Sequence, residues 1–455
     1  MREYDVVVIG GSAAGIPAAI TSRRHYPEKS VLLIRKEKQV LIPCGIPYIF
    51  GSVGSCEADL IPDSVLQKGG VDLLVDEAAS IDREKRLVTT VGGETVQYNK
   101  LVLAIGSLPL VPPIPGADKE NVFAILKNVP YLENMLEALN HVKNLVIVGC
   151  GFIGVELAEE CRRGRDIKIT IVEMLRHCLE LTYDVEFSVK AEEALMSQGV
   201  EILGSERVVA FEGNQKVEGV KLSSGKTIKA DAVIMGIGAI ANVALAKGAG
   251  LEIGPTGGIQ VNRYMQTSDQ NIFACGDCAE KVSFFDGKPS KLKLASIATM
   301  EARIAGANLF MPRRASMGVI GAYSTMLGST AFAAAGLTEK TAREMGYSVI
   351  VGEAEAVNRH PGCMPGGAPL KVKLVFEAGT RTLLGGQVSG ADSAGELINA
   401  VSACIHQRMT ADDIATFQTG THPGLTASPI SYQLVNAAEI AIANSWQVSK
   451  RWAKT

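Results

Sequence analysis

The chain has 455 residues, of which 47% are hydrophobic and 20% are charged, a composition typical of a globular protein with about three domains. Its 45 lysine and arginine residues nearly balance its 48 aspartate and glutamate residues, so the charge gives no reason to expect a nucleic acid or an anionic membrane as partner. The nine cysteines follow no disulfide spacing, and no signal-peptide pattern opens the sequence. We therefore expect a cytoplasmic protein whose important cysteines are reactive rather than structural.

The first predicted element is an apolar strand beginning at Tyr4, which leads into the glycine-rich turn Gly10–Gly15 and a helix. A second apolar strand follows, and this order is typical of a dinucleotide-binding βαβ unit. Ser12 stands where a second glycine is usual, and it is small enough for a ligand to approach the backbone. Arg35 stands where an acid usually ends the second strand. Glu37 would share a face with Arg35 on an extended strand and is the candidate replacement, with a solvated loop charge as the alternative.

The same pattern recurs after a proline-rich segment at residues 108–116. A strand from Asn144 leads into the loop Gly149–Gly154, and the next strand ends at Glu173. A carboxylate there accepts a hydrogen bond from an adenosine ribose 2′-hydroxyl and repels a 2′-phosphate, which favours NADH over NADPH. Arg176 could restore NADPH binding. Two units with these flanks predict two dinucleotide sites.

A third strand, at residues 272–275, delivers Gly276 and Asp277 to a predicted helix start. The glycine lets the backbone approach a ligand, and the acid can accept hydrogen bonds from a polyol chain. Cys275 and Cys278 have the spacing of half a zinc site, but the chain offers no second such pair, so we expect no metal.

Four segments match a known family: VVVIGGSAAG, LVLAIGSLP, VIVGCGFIGVE and TSDQNIFACGDC. Over nearly its whole length the chain resembles the FAD-dependent pyridine-nucleotide disulfide oxidoreductases, with Ile105 where that family has threonine. The resemblance implies FAD at the first glycine loop, NADH or NADPH at the second, and Asp277 at the ribityl and diphosphate region of the flavin. The implied cofactor-binding residues are Gly10, Ser12, Ala14, Gly15, Glu37, Ala104, Gly106, Gly149, Gly151, Phe152, Ile153, Gly154, Glu173, Gly238, Gly276 and Asp277.

The resemblance also sets the expected fold, an α/β protein with two Rossmann-like dinucleotide-binding domains and a C-terminal α+β dimerisation domain. The region from Ser324 fits that last domain, since it alternates strand-like and helical runs without a glycine loop. We place the FAD domain at residues 1–115 and 243–323, the NAD(P)H domain at 116–242 and the dimerisation domain at 324–455.

The segment IPCGIPYIFG narrows the resemblance to a subfamily. Glutathione reductase-like members have a second cysteine after four intervening residues, whereas here that position is Ile49. The run of Cys44, Gly45, Pro47 and Tyr48 instead resembles the single-cysteine subfamily of coenzyme A-disulfide reductases, persulfide reductases, NADH oxidases and NADH peroxidases. Cys44 is therefore the candidate redox cysteine beside the flavin. A helix predicted after it should favour the thiolate.

Several residues distinguish the subfamily members. Peroxidases and oxidases carry a histidine where this chain has Ala13, which favours disulfide over oxygen chemistry. Arg24 aligns with a basic residue that binds the coenzyme A phosphates, with a solvated surface charge as the alternative. Cys363 lies in a stretch where the coenzyme A-disulfide reductases usually have a tyrosine. His422-Pro423 resembles the histidine that acts as acid-base across the glutathione reductase dimer, with a turn residue as the alternative.

We accordingly expect a homodimeric FAD enzyme in which NADH reduces coenzyme A disulfide through Cys44. The alternatives are a persulfide or polysulfide reductase, an NADH oxidase and, from another class, a redox-sensing flavoprotein that acts through an interaction partner. Since no rhodanese-like domain is present in the 455 residues, we expect the form without that fusion. The cysteines expected to be buried and inert are Cys56, Cys150, Cys161, Cys178, Cys363 and Cys404.

Overall fold

The computed structural model describes the backbone of residues 1–452 and the side chains of residues 1–446. Apolar β-branched runs form its strands, as their propensity predicts. The strands are β1 (Arg2–Ile9), β2 (Val31–Arg35), β3 (Val40–Leu41), β4 (Leu60–Ile61), β5 (Asp72–Val75), β6 (Ala78–Asp82), β7 (Leu87–Thr90), β8 (Thr95–Leu103), β9 (Ser107–Pro109), β10 (Val122–Ala124), β11 (Asn144–Val148), β12 (Lys168–Val172), β13 (Glu201–Leu203), β14 (Val208–Glu212), β15 (Gly219–Leu222), β16 (Thr227–Lys229), β17 (Ala232–Met235), β18 (Ala239–Ala241), β19 (Ile272–Ala274), β20 (Lys281–Val282), β21 (Pro289–Ser290), β22 (Ala322–Leu327), β23 (Thr330–Gly336), β24 (Val349–Val357), β25 (Pro369–Glu377) and β26 (Leu383–Gly390).

Helices cover the sheets, and none in the described part of the chain is long and apolar enough to cross a membrane. The helices are α1 (Gly15–His25), α2 (Ile46–Ile49), α3 (Ser64–Lys68), α4 (Val129–Leu139), α5 (Phe152–Arg162), α6 (Val185–Ser197), α7 (Ala244–Gly248), α8 (Ala295–Asn308), α9 (Glu339–Glu344), α10 (Ala394–His406), α11 (Ala411–Thr416) and α12 (Gln433–Trp452).

The first sheet has seven strands and contains the first glycine loop. Strands β5, β2, β1 and β8 pair in parallel in that order, and the antiparallel strands β7 and β6 extend the sheet. Strand β19 joins the same sheet beside β8, with Ala274 opposite Leu103. The segment before Gly276 therefore ends at the same sheet edge as the first glycine loop, although more than half the chain separates them.

The second sheet repeats this arrangement around the second glycine loop. Its five strands pair in parallel in the order β10, β17, β11, β12, β13. Strands β11 and β12 are almost fully buried, as is usual when helices cover both faces of a parallel sheet. This confirms the predicted duplication of a Rossmann-like unit.

The C-terminal region forms an antiparallel sheet in the order β22, β23, β26, β25, β24. Helix α10 packs on β23 and β26, and helix α12 packs on β24 and β25. These layers confirm the predicted α/β fold class with a C-terminal α+β region. The exact domain boundaries stay a prediction, and the last predicted residues, 453–455, lie outside the described part of the chain.

Candidate active site

A single large cavity brings the predicted site segments together. It has a volume of about 2510 Å³ and is lined by both glycine loops, by Cys44 and Asp277, and by residues 322–324. Ligand pockets for one small molecule usually measure about 300–1,000 Å³. The cavity therefore has room for two dinucleotides, one at each loop.

In both glycine loops the third glycine packs directly against the first. A β-carbon on Gly15 would overlap the carbonyl oxygen of Gly10, and one on Gly154 would overlap that of Gly149. Neither Gly15 nor Gly154 lines the cavity, so each serves the packing of loop against helix rather than a direct ligand contact. This is the role that the third glycine has in a dinucleotide-binding turn.

The remaining residues predicted for FAD mostly border the cavity. Asp277 accepts a hydrogen bond at 2.7 Å from the hydroxyl of Ser107. Gly276 does not line the cavity; its N–H donates to Glu301 at 2.8 Å, and its carbonyl accepts from Lys281 at 2.7 Å. A β-carbon on Gly106 would meet no atom within 4 Å, which leaves open space for a cofactor against the backbone. These residues fit FAD, and those that line the cavity are Gly10, Ser12, Ala14, Glu37, Ala104, Gly106 and Asp277.

Glu37 was predicted on the assumption that strand β2 continues past Arg35, and that assumption was wrong. The strand ends at Arg35, so Glu37 lies in the following turn and shares no strand face with it. Arg35 is buried, forms an ion pair at 2.7 Å with Asp63, and donates to the carbonyl oxygens of Glu37 and Lys38. Arg35 therefore fixes the turn, and through it Glu37 borders the cavity.

The second loop places Glu173 as its spacing predicts. One carboxylate oxygen of Glu173 accepts from the N–H of Cys150 at 2.6 Å, and the other accepts from the N–H of Leu175 at 2.8 Å. Arg176 does not line the cavity, whereas Arg207 does, so Arg207 is a further candidate base for a 2′-phosphate and the role of Arg176 stays a prediction. The other predicted residues that line this end are Gly149, Gly151, Phe152, Ile153 and Gly238.

Three cysteines differ from their expected state. Cys150 and Cys178 form a disulfide bond, so they are not the isolated thiols that the sequence predicted. The sequence offered no spacing rule for this pair, because the contact arises from folding the segment after β12 back onto the glycine loop. Cys363 is exposed rather than buried. The cysteines that are buried as expected are Cys56, Cys161 and Cys404.

Cys44 lies in a short turn and is exposed to the cavity. The predicted helix after it, α2, has only four residues. Partial desolvation raises the pKa of the Cys44 thiol, the carboxylates of Glu156 and Asp59 raise it further, and the ammonium of Lys127 opposes them. The pKa of Cys44 therefore shifts upward, chiefly through burial, and the helix expected to favour the thiolate has only one turn.

Two acids near Cys44, the half-buried Glu156 and the buried Asp59, were missed by the sequence analysis. Glu156 of α5 lines the cavity and accepts a hydrogen bond at 3.0 Å from Thr325; burial raises its pKa to about 7. Asp59 lies against Gly45, and burial raises its pKa to about 6. Tyr323 also lines the cavity and stacks on Phe152 with ring centroids 5.1 Å apart. Their positions depend on long-range packing, which no local motif reports.

Arg24 and His422 do not line this cavity. Arg24 lies exposed in the last turn of α1. His422 is exposed in the segment before α12, and its Nδ1 accepts from the N–H of Gly424 at 3.2 Å. Their roles at a coenzyme A site and across a dimer stay predictions.

Comparison with known proteins gives two family matches. Residues 4–302 match the pyridine nucleotide-disulphide oxidoreductase family, and residues 323–430 match the dimerisation domain of that family. An NADH oxidase of Methanocaldococcus jannaschii is 31% identical over 90% of this chain and 93% of its own length. A CoA-dependent NAD(P)H sulfur oxidoreductase of Pyrococcus furiosus is 33% identical over 88% of this chain and 92% of its own length.

The solved structures agree with these sequence matches. The NAD-dependent persulfide reductase from A. fulgidus has a TM-score of 0.89 and 30% identity, covering 97% of this chain and 83% of that one. The fold is therefore that of a known group of redox enzymes, whose cofactors are the predicted FAD and NADH or NADPH. The chain belongs to the pyridine nucleotide-disulphide oxidoreductases.

Proposed function

We propose that this protein uses NADH to reduce a coenzyme A-linked disulfide or persulfide through Cys44. The observation that carries the proposal is the position of Cys44, whose side chain opens into the cavity that both glycine loops line. The coenzyme A dependence of the Pyrococcus furiosus relative supports coenzyme A as the carrier of the substrate sulfur. Coenzyme A disulfide and the persulfide of coenzyme A share that carrier, and the experiment below distinguishes them.

Bound FAD would supply the transfer of an electron pair from NADH to sulfur. The residues of this chain supply the sulfur chemistry. An electron pair breaks the S–S bond of a mixed disulfide between Cys44 and coenzyme A, which leaves the Cys44 thiolate and the thiolate of coenzyme A. The Cys44 thiolate then attacks the next coenzyme A disulfide, forms the mixed disulfide again and releases a second coenzyme A thiolate. The sum is one NADH and one proton consumed and two coenzyme A thiols formed per disulfide.

Within one subunit, Glu156 is the candidate donor of a proton to the leaving thiolate. Among the histidines in the described part of the chain, only His177 lines the cavity, and its Nδ1 lies 3.2 Å from a carboxylate oxygen of Glu192. Glu156 contributes to the electrostatics at Cys44, and its pKa of about 7 allows it to hold a proton near neutral pH. We assign to this carboxyl the protonation of a leaving thiolate, with His422 of a second subunit as the predicted partner across a dimer.

The C-terminal region supports the homodimer. It matches the dimerisation domain of the family and exposes large apolar side chains, among them Ile430 at 88% and Leu425 at 68% exposure. Exposed apolar side chains of this size in one segment are typical of a protein interface. His422 lies in the same segment, which is consistent with its predicted contact to the partner. A cytoplasmic location remains an expectation from the sequence.

An NADH oxidase is the second candidate function. The Methanocaldococcus jannaschii relative carries that name and matches this chain over most of its length. Ala13 opposes it, because this position in the first glycine loop offers no acid-base group for oxygen or peroxide chemistry. Disulfide or persulfide reduction therefore fits the residues near Cys44 better.

Steady-state NADH consumption by the FAD-loaded enzyme tests the proposal. The acceptors are coenzyme A disulfide, coenzyme A persulfide, glutathione disulfide and oxygen alone, each at matched concentration and without the others. We expect the two coenzyme A compounds to accelerate NADH consumption and glutathione disulfide to be a poor acceptor. Consumption that is fastest with oxygen alone would favour the oxidase, and no acceleration by any acceptor would favour the redox-sensing alternative.

A further inference from the structure

A disulfide bond lies beside the second glycine loop. Cys150 and Cys178 are joined by a disulfide, with Cα atoms 4.8 Å apart and a sequence separation of 28. Cys150 is the second residue of the glycine loop and lines the cavity, while Cys178 lies in the irregular segment between β12 and α6. Cys44, the redox cysteine of the proposed function, is not part of this pair.

The contacts of the cystine couple it to the dinucleotide site. The N–H of Cys150 donates to Glu173, the acid predicted to bind the ribose, at 2.6 Å. The carbonyl oxygen of Cys150 accepts from the N–H of Leu179 at 2.8 Å, and the N–H of Cys178 donates to Glu192 at 2.8 Å. The disulfide therefore fastens the segment that carries Cys178 to the loop that would contact the NADH diphosphate.

We propose that Cys150 and Cys178 form a thiol–disulfide site that exchanges with low-molecular-weight thiols and disulfides and sets the affinity for NADH. This goes beyond the proposed function, since it requires neither Cys44 nor a particular electron acceptor. In the oxidised form the two cavity-lining segments are already held together. In the reduced form NADH must order them on binding, which weakens its affinity.

The exchange balances in atoms and electrons. The Cys150 thiolate attacks a low-molecular-weight disulfide, forms a mixed disulfide and releases one thiolate. The Cys178 thiolate then attacks the Cys150 sulfur, closes the Cys150–Cys178 bond and releases the second thiolate. Two protein thiols are oxidised and one small disulfide is reduced to two thiols, so the protons are conserved. Reduction by two small thiols is the reverse.

Access to this site is through the dinucleotide cavity. Cys150 is 1% exposed and Cys178 is 0% exposed, so a thiol reagent reaches them only when the loop opens. Bound NAD⁺ covers the same loop and should protect the disulfide. Because coupling between two binding equilibria is reciprocal, NAD⁺ should stabilise the disulfide by the same factor by which the disulfide strengthens NAD⁺ binding.

The test uses FAD-loaded protein in a Cys44→Ser background, equilibrated with defined ratios of reduced and oxidised glutathione. Tryptic mass spectrometry follows the linked peptides of residues 144–162 and 177–190. Rapid mixing with NADH then gives the half-saturating NADH concentration for flavin reduction. We expect this concentration to rise by about fivefold or more when the pair is reduced. We also expect NAD⁺ to shift the glutathione ratio at half-oxidation in favour of the disulfide.

Two variants serve as the disulfide-free protein and the matched control. Cys178→Ser should behave like reduced native protein at every glutathione ratio, whereas Cys404→Ser, at a buried cysteine of the C-terminal region, should respond like the parent. The proposal is overturned if no linked peptide forms at any ratio, or if the half-saturating NADH concentration is the same in both states. If Cys178→Ser does not fold, the titration of the parent protein alone still decides between these outcomes.

Discussion

The two glycine loops of this chain have the same backbone and different strand ends. Gly10 and Gly149 open their loops with φ angles of +111° and +99°, values that favour glycine, and the third glycine packs against each in the same way. At the end of the next strand, however, the first unit has the buried Arg35 and the second has Glu173. The shared glycines leave backbone space that suits a diphosphate, and we expect the strand-end residue to contact the adenosine half.

The first unit differs from the second in the partners of its strand-end residue, Arg35. It forms an ion pair with Asp63, and the carbonyl oxygens of Glu37 and Lys38 accept two further hydrogen bonds, so its guanidinium is engaged by its own turn. Glu173 binds only backbone N–H groups and borders the cavity. We therefore expect the second unit, where Glu173 presents an anion to the cavity, to be the one that distinguishes NADH from NADPH.

Replacing the third glycine of one loop at a time should cause the greatest changes. In Gly15→Ala the new β-carbon overlaps the Gly10 carbonyl, so we expect protein without flavin and a free energy of unfolding lower by about 3 kcal/mol. In Gly154→Ala the protein should stay yellow, while flavin reduction by NADH slows by about a hundredfold, since a small displacement misplaces the nicotinamide.

Flavin absorbance per chain and rapid mixing with NADH measure the two effects. Gly395→Ala is the matched control, because a β-carbon there meets no atom within 4 Å and should leave both readouts unchanged. Retention of flavin by Gly15→Ala, or loss of flavin from Gly154→Ala, would show that the two loops are assigned to the wrong cofactors.

The next effect concerns the residue two positions after the third glycine, which is Pro17 in the first unit and Glu156 in the second. Burial raises the pKa of Glu156 from 4.5 to about 7, so ionisation is harder in the folded protein than in the unfolded chain. Stability from this group is therefore full below about pH 4.5 and is lost as the pH rises towards 7, by up to about 3 kcal/mol.

Denaturant unfolding at pH 5 and pH 8 measures this loss. Glu156→Gln should reduce the difference in the free energy of unfolding between pH 5 and pH 8. It should also weaken the pH dependence of the rate of thiol release over the same range. Thr325→Val is a useful comparison, because it removes the hydrogen bond to Glu156 and should raise the pKa of the carboxyl further. An unchanged pH difference in Glu156→Gln would show that another group titrates.

A smaller change concerns the strand-end residue Glu173 and the preference for NADH over NADPH. We expect NADH to give a higher kcat/KM than NADPH, and Glu173→Ala to narrow that preference by about tenfold, or about 1.4 kcal/mol. Arg207→Ala should widen it, since Arg207 is the base that lines this end of the cavity. Equal efficiencies in the native protein would mean that Arg207 outweighs Glu173.

Local patterns predicted the parts of the site that repeat in sequence. Both glycine loops, Glu173 and the strand before Gly276 lie where their spacing placed them, because each is fixed by neighbours a few residues away. Parts that depend on packing between distant segments were missed. Glu156 depends on Thr325, the cystine depends on the fold of the segment after β12, and the Cys44 pKa depends on acids from three segments.

Glu37 is an intermediate case. The sequence identified a residue that borders the cavity, but by an argument from strand geometry that the structure does not support. The turn that carries it is held by Arg35, the same residue that made the first unit look irregular. A departure from a motif can thus mark a different solution to the same structural requirement.

Cys44 is proposed to pass electrons to a sulfur substrate, and Cys44→Ser tests this role most directly. Rapid mixing with NADH under anaerobic conditions measures flavin reduction, and a second mixing with coenzyme A disulfide measures reoxidation. Serine keeps the shape but cannot form the mixed disulfide, so flavin reduction should keep its native rate while reoxidation slows by several orders of magnitude. Reoxidation of the variant at the native rate would show that Cys44 is not the cysteine that reduces the disulfide.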